Sequence, residues 1–262
     1  MILDKIMDHK RHEVAERRLA VPLTELKDRG SERPPPLDFA AALRSESACL
    51  IAEVKQASPS RGLLSPDFDP VRLARIYRAN GAAAISVLTD SRFFQGSLDH
   101  LVRIRQAVGQ TVPLLRKDFV FDPYQVYEAR ACGADALLLI VAALSDGELT
   151  DLLNLSHELG MAALVEAHDD EEVERAVRLQ PRVVGINNRN LCDFSVDLST
   201  FGRLRALLPE GVVAVAESGV QTSDDVRRLS VMGADAVLVG EALVSARDVG
   251  AAVREMVRGG LR

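Results

Sequence analysis

From Cys49 onward the hydrophobic positions gather into short runs separated by amphipathic stretches. Eight runs have strand length: "CLIAEV", "AAISVL", "VPLLRK", "ADALLLIV", "MAALVE", "VVGIN", "VVAVAE" and "ADAVLVG". Between them, stretches such as "PVRLARIYRANG", "SLDHLVRIRQAVG" and "TSDDVRRLSVMG" place apolar residues at helical spacing. Several end in Gly, a helix-terminating signal. Eight strands alternating with helices over about 215 residues predict an α/β chain folded as a (β/α)8 TIM barrel. The main rival is an open doubly wound sheet. It usually has fewer strands and a Gly-rich dinucleotide loop, and no GxGxxG follows any strand here. "ACGADALLL" and "VMGADAVLV" repeat one helix-Gly-strand join.

Before Cys49 the pattern changes. Ile2, Leu3, Ile6, Met7 and Val14 recur at near-helical spacing among charges. Pro34-Pro35-Pro36 breaks any helix, and "DFAAALRSE" then predicts a short helix capped near Asp38. The expected organisation is one domain, 1–262, of which 1–46 form an N-terminal helical extension.

Composition narrows this picture. Aromatics are 4% and Trp is absent, so the core is Ala, Val, Leu and Ile, as suits a parallel sheet covered by helices. The net charge of −6, with basic residues dispersed, argues against nucleic acid as a partner. It leaves room for an anion at a local basic site. Three scattered cysteines without a CxxC point away from disulfides and zinc. The start "MILDKIMDHKRHEVAERR" is too charged for a signal peptide, and no apolar run approaches the roughly 20 residues of a membrane span. A soluble cytoplasmic protein without membrane contact is expected.

Candidate chemistry sits where the strands end, because barrels of this kind carry their active sites at the C-terminal strand ends. The first strand ends in Glu53 and Lys55, which share one face. The third ends in Arg116, Lys117 and Asp118, the fifth in Glu166, and the sixth in Asn187, Asn188 and Arg189. The seventh ends in Glu217-Ser218-Gly219 and the eighth in Gly240-Glu241. A single charge at a strand end reads first as a solvated loop residue. A ring of them reads as a shared polar mouth. Lys117 and Glu166 stand out because their strands are otherwise apolar, and an amine and a carboxylate in an apolar cup can be tuned for proton transfer. Small residues around Gly219 and Gly240, before helical segments, point to phosphate held by backbone N–H groups at two helix N-termini. His9, His12, His100 and His157 read as surface groups and His168 as a loop residue. The cysteines read as small apolar fillers.

Six motifs then occur in order: "IAEVKQASPSRG", "SVLTDSRFFQGS", "LLRKDF", "LVEAH", "GINNRNL" and "VAESGV". Together they resemble the indole-3-glycerol phosphate synthase family over essentially the whole chain. The resemblance implies conversion of 1-(2-carboxyphenylamino)-1-deoxyribulose 5-phosphate to indole-3-glycerol phosphate, carbon dioxide and water, without metal or organic cofactor. It implies a catalytic set of Glu53, Lys55, Lys117, Glu166, Asn187 and Ser218. Ser58, Gly219, Gly240 and the Glu241 backbone would lie near the phosphate, Phe94 and Phe119 would wall the aromatic ring, and Arg189 would sit beside Asn187 in the mouth. Glu241 departs from relatives with Ser at this position, and its carboxylate is expected to turn away from the anion. Lys117, with a lowered pKa, is the expected acid for the carbonyl that is attacked during ring closure. Another phosphate-binding barrel, such as a sugar-phosphate isomerase, would need a different acid–base pair. A non-catalytic barrel would not need all of these charges.

Overall fold

The computed structural model describes residues 2–59, 61–65, 67–190 and 195–260. Ser60, Leu191 and Cys192 of the sequence reading lie outside the described residues. Eight parallel strands form a closed barrel: β1 (Cys49–Val54), β2 (Ala84–Leu88), β3 (Leu114–Lys117), β4 (Ala136–Ile140), β5 (Ala162–Ala167), β6 (Val183–Asn187), β7 (Val213–Glu217) and β8 (Ala236–Val239). β1 pairs with β2 on one side and β8 on the other, which closes the ring. Each strand coincides with an apolar run, usually trimmed at its ends. In "VPLLRK" the strand begins after Pro113, which has no N–H to give a ladder.

Helices α1 (Ile2–Ala20), α2 (Leu23–Ser31) and α3 (Phe39–Ala42) precede the barrel. Those that follow are α4 (Pro70–Ala79), α5 (Ser91–Phe94), α6 (Leu98–Val108), α7 (Pro123–Ala131), α8 (Asp146–Glu158), α9 (Asp170–Arg178), α10 (Ser199–Arg205), α11 (Ser223–Val231), α12 (Glu241–Val244) and α13 (Val249–Gly259). A small antiparallel hairpin, Ala57–Ser58 with Gly62–Leu63, follows β1.

The core has two layers. One lies between strands and helices; the other fills the barrel and includes Ile51, Leu115, Leu164 and Val215 from β1, β3, β5 and β7. Because side chains repeat every second residue along a strand, the next inward positions are Glu53, Lys117, Glu166 and Glu217. Alternate strands of such a barrel supply four side chains to each layer. The odd-strand layer nearest the mouth is therefore three carboxylates and one ammonium.

α3 joins the inner layer: Phe39, Ala40 and Leu43 are fully buried against it. Asp38 caps α3, its side chain accepting from the Ala41 N–H at 3.0 Å, as the sequence pattern predicts. Truncating Phe39 to Ala would cost about 3–5 kcal/mol.

α1 buries Leu3, Ile6, Met7 and Val14, and also Lys10. Spacing makes this inevitable, since positions 3, 7, 10 and 14 share one helical face. The fully buried Lys10 ammonium meets Glu13 at 2.7 Å, Asp90 at 2.8 Å and Asp118 at 2.9 Å. Asp118 also meets Arg116 at 3.0 Å, and Arg116 meets Glu128 at 2.8 Å. This ionic cluster ties α1 to the loops after β2 and β3.

The repeated helix-Gly-strand join has a structural counterpart. Arg105 Nε donates to the Gly133 carbonyl at 2.9 Å, and Arg205 Nε to that of Gly233 at 3.0 Å. Asp135 accepts from the Leu114 N–H at 2.7 Å, and Asp235 from that of Ala214 at 2.8 Å. Each contact recurs one hundred positions later along the chain.

Candidate active site

All thirteen site residues named from the sequence line one cavity at the C-terminal mouth of the barrel: Glu53, Lys55, Ser58, Phe94, Lys117, Phe119, Glu166, Asn187, Arg189, Ser218, Gly219, Gly240 and Glu241. The cavity is completed by Leu138, Ile140 and Leu238 from the strands and by Ile2, Leu3 and Ile6 of α1. The N-terminal helix thus supplies part of an apolar wall.

At the cavity floor, Lys117 Nζ lies 3.4 Å from Glu217 Oε2 and 3.5 Å from Glu166 Oε2. Burial pulls the Lys117 ammonium down, but Glu217, Glu166 and Glu53 together push it above its ordinary value. The lowered pKa expected from the apolar walls is thereby corrected: three carboxylates outweigh desolvation. The two acids part company. Glu217 is pushed up to about 8, first by burial and then by the charge of Glu166. Burial also pushes Glu166 up, but Lys117 and His168 outweigh it and hold Glu166 below the usual carboxylate range. Of the two acids, Glu217 is the one on which burial and Glu166 favour a proton, and Glu166 the one that Lys117 and His168 favour as the carboxylate.

Glu217 is the cavity residue that the sequence reading passed over in favour of Ser218. Period-two spacing would have found it, since Val213 and Val215 face inward on the same strand. Gly185 on β6 clears space for it: a Cβ there would collide with the Glu217 carboxylate.

Asn187 Nδ2 donates to Glu166 Oε1 at 3.0 Å, while its Oδ1 accepts from the Arg189 N–H at 3.0 Å. The amide is thereby oriented as a donor toward the acid. Ser218 has φ +63°, a left-handed conformation that costs a non-glycine residue about 1–3 kcal/mol. Asn188 pins this turn, donating through Nδ2 to the carbonyls of Glu217 at 3.0 Å and Ser218 at 3.2 Å.

On the opposite wall, Lys55 Nζ stands 3.6 Å from Glu53 Oε2 and 5.6 Å from the centroid of Phe94. Phe94 and Phe119 lie tilted, 6.2 Å apart. Asp90, which caps α5 and so positions Phe94, is one of the Lys10 partners.

The expected phosphate end differs from the sequence reading at Gly219. α11 starts at Ser223, and its N-terminus is already capped by Thr222 and Asp225, so Gly219 lies in a turn and not at a helix N-terminus. Gly240 is the N-cap of the short α12 and has no side-chain cap. A Cβ on Gly240 would stand 2.5 Å from Glu53 Oε2, so this glycine makes room for a carboxylate of the floor. The Glu241 carboxylate pairs with Arg61 of the hairpin at 3.1 Å. Arg61, whose N–H lies 3.3 Å from Ser58 Oγ as its donor, is a cation that the sequence reading did not single out.

His168, read as a loop residue, lies half-buried against Glu166. Cys49 and Cys132 are free and partly buried, with thiols pushed up mainly by burial. No helix among the described residues is long and apolar enough to cross a membrane.

The family model for indole-3-glycerol phosphate synthase matches residues 3–256. The indole-3-glycerol phosphate synthase of Roseiflexus sp. (strain RS-1) is 54% identical over 262 residues, covering 97% of each chain. That of Dehalococcoides mccartyi is 50% identical over 259 residues, covering 98% of this chain and 100% of the relative. Solved structures share the fold at much lower identity. Thiamine phosphate pyrophosphorylase from Pyrococcus furiosus superposes with TM-score 0.63 at 18% identity, covering 83% of this chain and 96% of that one. The 3-hexulose-6-phosphate synthase from Salmonella typhimurium does so with TM-score 0.63 at 15% identity, covering 81% and 98%.

Proposed function

Because the chain belongs to the indole-3-glycerol phosphate synthase family and carries out its ring-closing decarboxylation, we propose that the charged layer at the barrel mouth divides the proton transfers of that reaction. The observation that carries this reading is Lys117 held between Glu166 at 3.5 Å and Glu217 at 3.4 Å, beneath a cup walled by Phe94 and Phe119.

The substrate is a small phosphorylated molecule with two ends that must be brought together. The apolar walls take the carboxyphenyl ring, and the Ser58, Gly219, Gly240 and Glu241 backbone region takes the phosphate. Holding both ends fixed presents the carboxylate-bearing ring carbon to the ribulose C2 carbonyl, a large term in itself.

As that bond forms, the C2 oxygen becomes an alkoxide and takes a proton from Lys117. The raised pKa of the ammonium does not forbid this. An alkoxide is about as basic as hydroxide, whose conjugate acid has a pKa of about 15.7. Glu217, protonated beside Lys117, can restore the ammonium. Loss of carbon dioxide returns the bonding electrons to the ring and restores aromaticity. The hydroxyl then leaves as water with a second proton, for which Lys55 is placed on the opposite wall. Ionised Glu166 takes the proton from the former ribulose C1, completing the indole. Two protons are given and one is taken, so one proton enters from solvent for each carboxylate lost.

Arg61 is a cation beside Glu241, and its pairing with Glu241 keeps that carboxylate from opposing the anion. We further place the protein in the cytoplasm, working without metal, organic cofactor, nucleic acid or membrane, with residues 1–46 an extension of a single barrel domain. The test is incubation of purified protein with the carboxyphenylamino deoxyribulose phosphate while following indole fluorescence, with Lys117→Ala, Glu166→Gln and Lys55→Ala alongside. Product formation by all three variants at the wild-type rate would overturn the assignment of roles.

A further inference from the structure

The imidazole of His168 lies between two carboxylates. Its Nδ1 is 3.0 Å from Glu172 Oε2, and its Nε2 is 3.3 Å from Glu166 Oε1. Glu172 is fixed from two directions. Its Oε2 also accepts from the His168 backbone N–H at 2.8 Å, and its own N–H donates to the α9 cap Asp169 at 2.9 Å. Nδ1 is hydrogen-bonded to Glu172, whereas Nε2 meets Glu166 Oε1 at ion-pair distance without hydrogen-bond geometry; in a neutral ring that gives its one N–H to Glu172, the bare Nε2 lone pair would face the Glu166 carboxylate. Only the imidazolium donates from both nitrogens.

We propose that His168, as an imidazolium clasped between Glu172 and Glu166, is a positioning residue for the ring-closing reaction. It holds the Oε1 edge of Glu166 so that the Oε2 edge faces Lys117 and the substrate. This deepens the role given above to Glu166 and rests on it.

The groups facing the ring are Glu166 on β5 and Glu172 on α9. Those facing Glu166 are Lys117 on β3, Asn187 on β6 and Glu217 on β7. Burial disfavours the charged ring, but Glu166 and Glu172 outweigh it and push its pKa to about 10. A cation at this point also biases which of the two buried acids is the ionised one. With His168 charged on its Oε1 side, Glu166 is the ionised member and Glu217 the protonated one. Without it, the two acids become more nearly equivalent, and the base is lost in part of the population.

Two measurements test this. In 15N-histidine-labelled protein, both ring nitrogens of His168 should stay protonated from pH 6 to pH 8; a neutral single tautomer at pH 7 overturns the proposal. In kinetics, His168→Gln keeps a donor but loses the charge. It should lower kcat about 10-fold to 100-fold, in line with partners that orient a reacting ligand, while KM stays within about twofold because no substrate contact is lost. The acidic limb of its kcat–pH profile should move to higher pH. Glu172→Gln, which leaves Glu166 untouched, should move the limb the same way by less. Unchanged kcat and unchanged limbs in both variants overturn the proposal, and Glu172→Gln alone decides it should His168→Gln not fold. Glu166→Gln is measured in parallel. Wild-type kcat in that variant removes Glu166 as the base, whereas the 15N result still reports separately whether the clasp is charged.

Discussion

Lys117 and Asp118 are adjacent in the chain, yet each faces a different ionic cluster. Asp118 belongs to the cluster around Lys10, where ion contacts run from 2.7 to 3.0 Å. Every charge there has a close opposite charge. Thr89 Oγ1 also donates to Asp118 at 2.6 Å, and the carboxyl is held well below its usual range, with Arg116 and Lys10 outweighing the effect of burial. Lys117 belongs to the cluster at the floor, where the lysine–carboxylate contacts run from 3.4 to 3.6 Å. Buried charges that are tightly paired hold geometry, and losing one partner is costly. Buried charges that are loosely paired keep their field for something else, here a substrate whose oxygen becomes anionic during reaction. One strand end serves both purposes because successive side chains of a strand point to opposite faces.

The sharpest break of this comparison is Lys117→Ala. Turnover should fall by about 10³-fold or more, within and beyond the range of a lost general acid. The protein should stay folded and still bind a reduced, unreactive substrate analogue, since an acid needed in the transition state affects kcat more than binding. A near-normal kcat would move the acid role to Lys55.

Lys10→Met attacks the other cluster. Asp90 and Asp118 would lose a buried partner at a cost of about 3–5 kcal/mol, lowering Tm by roughly 10 °C. KM should rise as well, because α1 carries Ile2, Leu3 and Ile6 into the cavity wall. A melting curve and a KM both matching the wild type would show that the cluster does not secure α1.

Glu217→Gln should lower activity yet raise stability at high pH. The folded pKa of about 8 lies above the ordinary carboxylate value. The stability tied to this proton is therefore fully present at pH 4 and is lost progressively as pH rises toward 8. Gln suffers no such loss, so the variant should gain relative to wild type between pH 5 and pH 8, by on the order of 5 °C in Tm. A gap independent of pH contradicts a protonated Glu217.

Glu241→Ser is the mildest. Because Arg61 already draws the carboxylate aside, kcat should stay unchanged and substrate binding should change by less than about tenfold, or 1.4 kcal/mol. Tighter binding beyond that would mean that Glu241 opposes the phosphate directly.

The eight runs, their alternation with helices, and the motifs at their ends were all legible in the sequence. They depend on periodicity and local propensity, which are properties of neighbouring residues. The helix at Asp38 was legible for the same reason. What remained hidden depends on pairings across the chain. Lys10 and Asp118 are separated by more than a hundred residues, and only barrel closure with α1 laid across the mouth brings them together. The charge state of Lys117 could not be read from its apolar strand, because three carboxylates from three other strands decide it. His168 is the loop residue that the sequence suggests, and the start of α9 sets Glu172 against its ring. Sequence determined which residues reach the mouth, since a strand's alternation is a local matter. Tertiary structure alone decided which of them are charged there, since a buried group's ionisation is settled by the sum of fields from every element around it.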